Sequence, residues 1–172
     1  MGREVRKVPA AWQHPKEKVP DYRTGRMVER YKPLFPGERY QPAVDEWDAE
    51  CAKWKAGWRP DYCSPESLAM CYEQWAGQRP HRDDYMPNWP DSERTHYMMY
   101  EDTTEGTPIS HAFATPEELA KWLADTNASA FGDEGACYDS WLNIAYGGYA
   151  PSMVYSPEKG LQNGVESSSQ TL

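Results

Sequence analysis

The sequence is poor in aliphatic side chains, and that poverty narrows the folds open to it. Ile, Leu and Val are few, Phe occurs three times, and apolar residues make up 39% of 172 positions. The central strands of a parallel sheet are near-continuous Val/Ile/Leu runs, so a large parallel sheet is not expected. No segment approaches the ~18 uncharged apolar residues of a membrane span, and no membrane contact is expected. The opening Met1-Gly2-Arg3-Glu4-Val5-Arg6-Lys7 enters no apolar run, so it is not read as a secretory signal. Arg6 stands where a myristoylation signal needs Ser or Thr. Residence in the cytoplasm follows as the expectation.

Specialised chemistry is equally scarce. The four cysteines, Cys51, Cys63, Cys71 and Cys137, form no C-x-x-C pair, and His14, His81, His96 and His111 stand singly. Reduced thiols are expected, with neither a metal site nor a cofactor. Gly132, Gly135 and the Gly147-Gly148 pair lack the spacing and the Lys of a phosphate-cradling loop.

What the chain does have is Trp and Tyr, eight and twelve of them. Each buries ~150–250 Å² and carries a polar tip, so a few can anchor a modest core or an interface. It also has charge of uneven sign. The net charge is −9, but residues 1–40 hold ten Lys/Arg against five Asp/Glu, and residues 41–172 hold eight against twenty-two. A basic arm on an acidic body is expected to fold back along it, since opposite fields attract within a Debye length of ~8–10 Å. The acidic body can serve solubility alone, or it can imitate a phosphate backbone and enter the Lys/Arg groove of a nucleic-acid-handling protein.

The local patterns predict a small α+β protein. Residues 1–41, punctuated by Pro9, Pro15, Pro20, Pro33 and Pro36, read as an extended arm with a short strand near 27–31, pinned to the body by Trp12 and Tyr22. Val44, Trp47, Cys51 and Trp54 make the buried stripe of a helix between Pro42 and Gly57. A second helix is expected from Ser64-Pro65 to Gly77, with Leu68, Cys71 and Trp75 inward. The two share a period-twenty echo and read as a helical hairpin. Residues 78–94 read as an acidic, Pro-rich loop carrying Tyr85 and Trp89. Thr95–Glu101 alternates as a strand, and Thr115-Pro116-Glu117-Glu118 is a helix start with a capping box. A further helix is expected at 138–146 and a strand at 150–155 that pairs with 95–101, followed by a flexible tail at 156–172. The fold expected is therefore a small antiparallel sheet (strands near 95–101 and 150–155) packed with three to four short helices. Its domains would be an arm at 1–41, a single acidic domain at 42–155, and the tail.

No catalytic constellation emerges. The paired carboxylates Asp83-Asp84, Glu101-Asp102 and Glu117-Glu118 read as solvated or as helix starts. Ser110-His111 are sequence neighbours, which does not normally bring the two side chains face to face. A small hydrolase or transferase would rest on His96, His111 and Cys137 gathering around the sheet, and replacement of all three by Ala with function intact would end that reading. A non-enzymatic binding protein is the expectation.

Four stretches carry a resemblance: Gly2 to Pro15, Asp83-Asp84-Tyr85-Met86-Pro87-Asn88-Trp89, Tyr100 through Gly106-Thr107-Pro108 to Leu119, and Tyr149-Ala150-Pro151-Ser152-Met153-Val154. They resemble a group of small acidic proteins encoded by tailed phages and prophages. The resemblance implies a genomic setting and no catalytic residue. In that setting the expected role is anti-defence: inhibition of a host protein or ribonucleoprotein with a basic groove, such as a CRISPR effector or a restriction system, with no direct contact to nucleic acid. The expected contacts are Asp83, Asp84, Trp89, Asp91, Glu93, Glu101, Asp102 and Glu105. The alternative is a phage accessory protein for replication or morphogenesis that works through protein–protein contacts.

Overall fold

A computed structural model describes residues 2–102 and 106–167. The fold is α+β, and the chain divides into two compact units. One combines residues 1–34 with 89–172; the other is the continuous stretch 35–88.

The larger unit is built on a three-stranded antiparallel sheet whose middle strand is β1, Arg3–Val8. β4, His96–Glu101, pairs along the whole of β1, with Arg3 opposite Glu101 and Val8 opposite His96. The two-residue β5, Tyr149–Ala150, pairs with Arg3 and Glu4 on the other side. The sheet thus differs from the pairing expected of residues 95–101 with 150–155. A strand from the supposed arm lies between them, and Pro151, which has no N–H to give a ladder, ends β5. Alternation sends Val5, Met99, Arg3 and Glu101 to one face of the sheet and Glu4, Arg6, Met98 and Tyr100 to the other.

Two helices pack against the first face. α3, Pro116–Asp125, starts where Thr115 Oγ1 accepts from the Glu118 N–H at 3.2 Å and Pro116 takes the first position. α4, Tyr138–Gly147, ends on left-handed Gly148. Leu119, Leu123, Trp141 and Ile144 meet Met99 and Ala150 in the main core. Each such side chain contributes ~1.5–3 kcal/mol on burial, so four of them anchor a small core. Residues 156–167, expected to be a flexible tail, are instead ordered. β6 (Met153–Ser156) and β7 (Gly160–Asn163) form a hairpin, and α5 (Gly164–Ser167) places Val165 in the core with no exposed surface. A lone Val among polar neighbours gave no periodic signal. Residues 168–172 lie outside the described ones.

The remaining strands of this unit, β2 (Lys16–Pro20) and β3 (Met27–Tyr31), make a separate hairpin ribbon. The strand expected near 27–31 is there. Tyr22, expected to pin this segment, is 77% exposed at the ribbon's turn, whereas Trp12 packs edge-on against Trp89 at 4.7 Å.

The smaller unit carries α1, Tyr40–Lys55, whose Trp54 and Cys51 are buried against Tyr72 while Trp47 and Trp75 pack alongside. The second expected helix is broken into a 3-10 turn at Glu66–Ala69 and α2, Tyr72–Ala76. Met70 is extended between them, and its carbonyl accepts from Trp54 Nε1 at 3.0 Å. That long-range bond, together with the Gln74 side chain accepting from the Cys71 N–H at 3.1 Å, holds the break.

Candidate functional site

Two features of the described residues could do work: an array of carboxylates, and a polar hub under the second face of the sheet.

The carboxylates dominate the smaller unit. Nine of its ten Asp/Glu side chains are exposed, all but Glu50. Some are tied: Arg79 grips Asp48 through two bonds of 2.9 and 2.7 Å, which holds the Asp48 carboxyl below its ordinary range, and Lys53 meets Glu50 at 2.6 Å. No Lys or Arg pairs with Glu38, Glu46, Asp61 or Glu73 among the described residues. The same unit exposes Trp58, Tyr62, Leu68 and Met70, with Tyr62 81% accessible. Leu68, expected on the inward stripe of the second helix, is exposed because that helix is broken, and Trp58 and Tyr62 fall between the two expected helices, where no pattern marks them.

The expected contact residues are divided between the two units. Asp83 and Asp84 sit in the 3-10 turn Arg82–Asp84, exposed, with Asp83 3.5 Å from His81 Nδ1. Asp91 and Glu93 are exposed on the turn before β4, where Asp91 pairs with Arg94. Asp102 is half-buried, its N–H donating to the Gly2 carbonyl. Trp89 is half-buried against Trp12, so it is packed and not a free anchor. Glu101 is a correction: it is 9% exposed, because alternation turns it to the helix-covered face opposite Arg3. There its charge supports the Arg3 guanidinium, whose pKa burial pushes down and Glu101 pulls back up. Glu105 lies outside the described residues.

The polar hub centres on Tyr100, which is fully buried. Arg6 lies over its ring, 4.3 Å from the centroid, while pairing with Glu4 at 2.8 Å and donating to the Leu34 carbonyl at 2.7 Å. The Tyr100 hydroxyl accepts from Trp12 Nε1 at 3.1 Å and meets His14 Nδ1 at 3.2 Å. His14 Nε2 is 2.6 Å from the Lys32 carbonyl, which can only accept, so Nε2 carries the proton and Nδ1 presents its lone pair to the tyrosine. The Met98 sulfur, 3.4 Å from the hydroxyl, is the weaker alternative acceptor. Burial lowers the His14 pKa, opposed by the bond to Lys32 and reinforced by Arg6, and burial pushes the Tyr100 hydroxyl up to about 12. Both groups are therefore neutral near pH 7. The hub ties residues 6–34 to β4. Its members carry no periodic pattern; the signal was only that Arg6 and Tyr100 share a face once β1 and β4 are paired.

The residues that would have supported catalysis go separate ways. His96 Nδ1 meets Thr95 Oγ1 at 3.0 Å, His111 packs against Phe113 and Trp122, and Cys137 stands at the N-cap position of α4 with its Sγ 3.2 Å from Ser140 Oγ and no capping bond from its side chain. Among the described residues no hydrogen bond or ion pair joins any two of the three. Ser110 Oγ accepts from the Met99 N–H and donates to the His111 carbonyl, both at 2.9 Å, which commits it to the backbone. Glu166 accepts from the Cys137 N–H at 3.1 Å at the start of α4, a capping role. Among the described residues no group of three or more His, Cys, Asp or Glu gathers closely enough to hold a metal ion, and no helix is long and apolar enough to cross a membrane.

No protein-family model, curated protein or solved structure matches the chain.

Proposed function

We propose that the protein is a phage-encoded, non-enzymatic binding protein that inhibits or modulates a host nucleic-acid-handling defence complex, of the CRISPR-effector or restriction type. Its carboxylate-bearing surface takes the place of a phosphate backbone in the partner's Lys/Arg groove. The observation that carries this reading is the exposure of nine of ten carboxylates in residues 35–88, several without a cationic partner among the described residues. Fields of opposite sign speed such an encounter and select the partner. Asp83, Asp84, Asp91, Glu93 and Asp102 are the contacts assigned from the expected set; the burial of Glu101 removes it.

The reading is tested by pull-down of the tagged protein from host lysate at low and raised salt, with mass spectrometry of what is retained. A nucleic-acid-binding complex that washes off with salt, and that a variant with Asp83, Asp84, Asp91 and Glu93 changed to Lys no longer retains, supports it. Retention indifferent to salt and to that charge reversal overturns it. The exposed Trp58, Tyr62, Leu68 and Met70 favour a second reading, an accessory role in phage replication or morphogenesis through an aromatic contact. Recovery of phage proteins alone would support that role.

A further inference from the structure

Beside the Tyr100 hub, within the larger unit, lies a cleft of about 490 Å³. Trp12, His14, Lys16 and Tyr31 line it from the N-terminal segment, and Ser110, His111 and Trp122 from the chain between β4 and α3 and from α3 itself. Its volume falls within the roughly 300–1,000 Å³ of clefts that enclose a small ligand.

Three properties define what it would accept. The first is charge. The chain has 27 Asp/Glu against 18 Lys/Arg, yet none of the cleft's described lining residues is acidic. The segment 9–34 that supplies one side holds six Lys/Arg against three Asp/Glu, a net charge opposite in sign to that of the whole chain, and Lys16 is the cation that reaches the lining. The second is flat apolar surface: Trp12, Tyr31 and Trp122 all line the cleft. The third is uncommitted polar capacity. Gln13 and His111 are exposed, and no hydrogen bond engages either side chain among the described residues. Lys16 reaches Glu29 at 3.2 Å, but both side chains are about half exposed, at 48% and 58%. Such a pair is weak, and a better anion displaces Glu29 readily. His14 has both ring nitrogens engaged and serves as wall.

The geometry points to a nucleotide site: the aromatic side chains stack a base, the Gln13 amide reads its edge as donor and acceptor together, and Lys16 with His111 holds a phosphate. A ring-bearing carboxylic acid would use the aromatics and the cation but leave the amide without a role. Stacking on aromatic side chains is tolerant of base identity, because every base has a flat face. The same chemistry is offered by a free mononucleotide and by one residue of a single strand. The inference goes beyond the acidic-surface reading and stands whichever way the pull-down falls.

The test uses the full chain, calorimetry, and the His111 ring resonances followed by NMR. Probes are AMP, UMP, a short single-stranded oligouridylate, uridine, inorganic phosphate and benzoate. Mononucleotide at millimolar concentration is expected to shift His111, with uridine and phosphate each at least about tenfold weaker. Lys16→Ala, at a half-exposed position, is expected to weaken AMP about tenfold, and Gln13→Ala to narrow the difference between AMP and UMP. An oligouridylate that binds far more tightly than UMP identifies a strand as the source, and equal affinities identify a free nucleotide. No shift with any probe, affinity unchanged in both Lys16→Ala and His111→Ala, or benzoate binding as tightly as AMP overturns the proposal.

Discussion

Replacing Tyr100 by Phe keeps the ring beneath the Arg6 guanidinium and removes one oxygen. That oxygen is the partner of Trp12 Nε1 at 3.1 Å and of His14 Nδ1 at 3.2 Å. Its loss leaves a half-buried indole N–H and a buried imidazole nitrogen with nothing in its place. A buried polar group deprived of its partner costs ~1–3 kcal/mol. Trp12 keeps some access to water, so most of the cost falls at His14, and the total is set at ~2–3 kcal/mol. Each kcal/mol moves the midpoint of a chain this size by ~2–4 °C, which gives a fall of roughly 4–12 °C. Thermal unfolding by near-ultraviolet circular dichroism at pH 7.5 measures it. A second readout is independent of stability. The tyrosine donates to the neutral form of His14, so its removal should move the His14 pKa upward in an NMR titration. Trp12→Phe should also cost less in the Tyr100→Phe background than alone, because the two changes delete one bond. A midpoint unchanged to within about a degree, with the His14 titration unmoved, would refute the hub.

His14 also sets a pH dependence. Its pKa is lower folded than unfolded, so the unfolded chain takes up the proton first; the stability is whole above pH ~6.5 and is lost as pH falls from there through the folded value. Midpoints measured between pH 7.5 and pH 5 should decline, and His14→Gln should lower the slope by one proton's worth. Gly164→Ala would drive a Cβ into the Pro151 carbonyl where α5 begins, and is expected to cost ~1–3 kcal/mol by urea unfolding; an unchanged urea midpoint would show that residues 151–164 pack differently. Glu166→Ala removes the acceptor at the start of α4 and is expected to cost ~1 kcal/mol in the same assay, with Glu166→Gln recovering part of it.

Local signals in the sequence located the elements that local physics controls. Thr115-Pro116 opens α3, Gly148 closes α4, the Val44–Trp54 stripe faces the core of the smaller unit, and the alternation of His96–Glu101 is a strand. The sequence concealed the elements fixed by distant partners. Arg3–Val8 holds four charged residues in six, and reads as a strand only once Arg3 faces Glu101 and Arg6 lies over Tyr100. The helix expected from residue 65 to residue 76 is split because Met70 gives its carbonyl to Trp54, sixteen residues away. The candidate contacts fared by the same rule. Asp83, Asp84, Asp91 and Glu93, in turns, are exposed as their composition implies, while Glu101 and Trp89 are covered by partners far away in the chain, Arg3 and Trp12. The cleft was invisible for that reason too: its two sides are almost a hundred residues apart.

The placement of β1 has a consequence for how the molecule is made. β1 pairs on one side with β4 and on the other with β5, and both emerge from the ribosome long after it. At roughly 5–20 residues per second, the ~90 residues before β4 occupy about 5–20 s of synthesis, and β5 comes later still. During that interval the nascent chain offers an unpaired strand, and its four charges are a safeguard against pairing with the wrong neighbour. Residues 35–88, continuous in the chain, have all their own partners in hand before β4 begins. Translation therefore delivers the smaller unit first, and the three-stranded sheet of the larger one closes only when β1 meets β5.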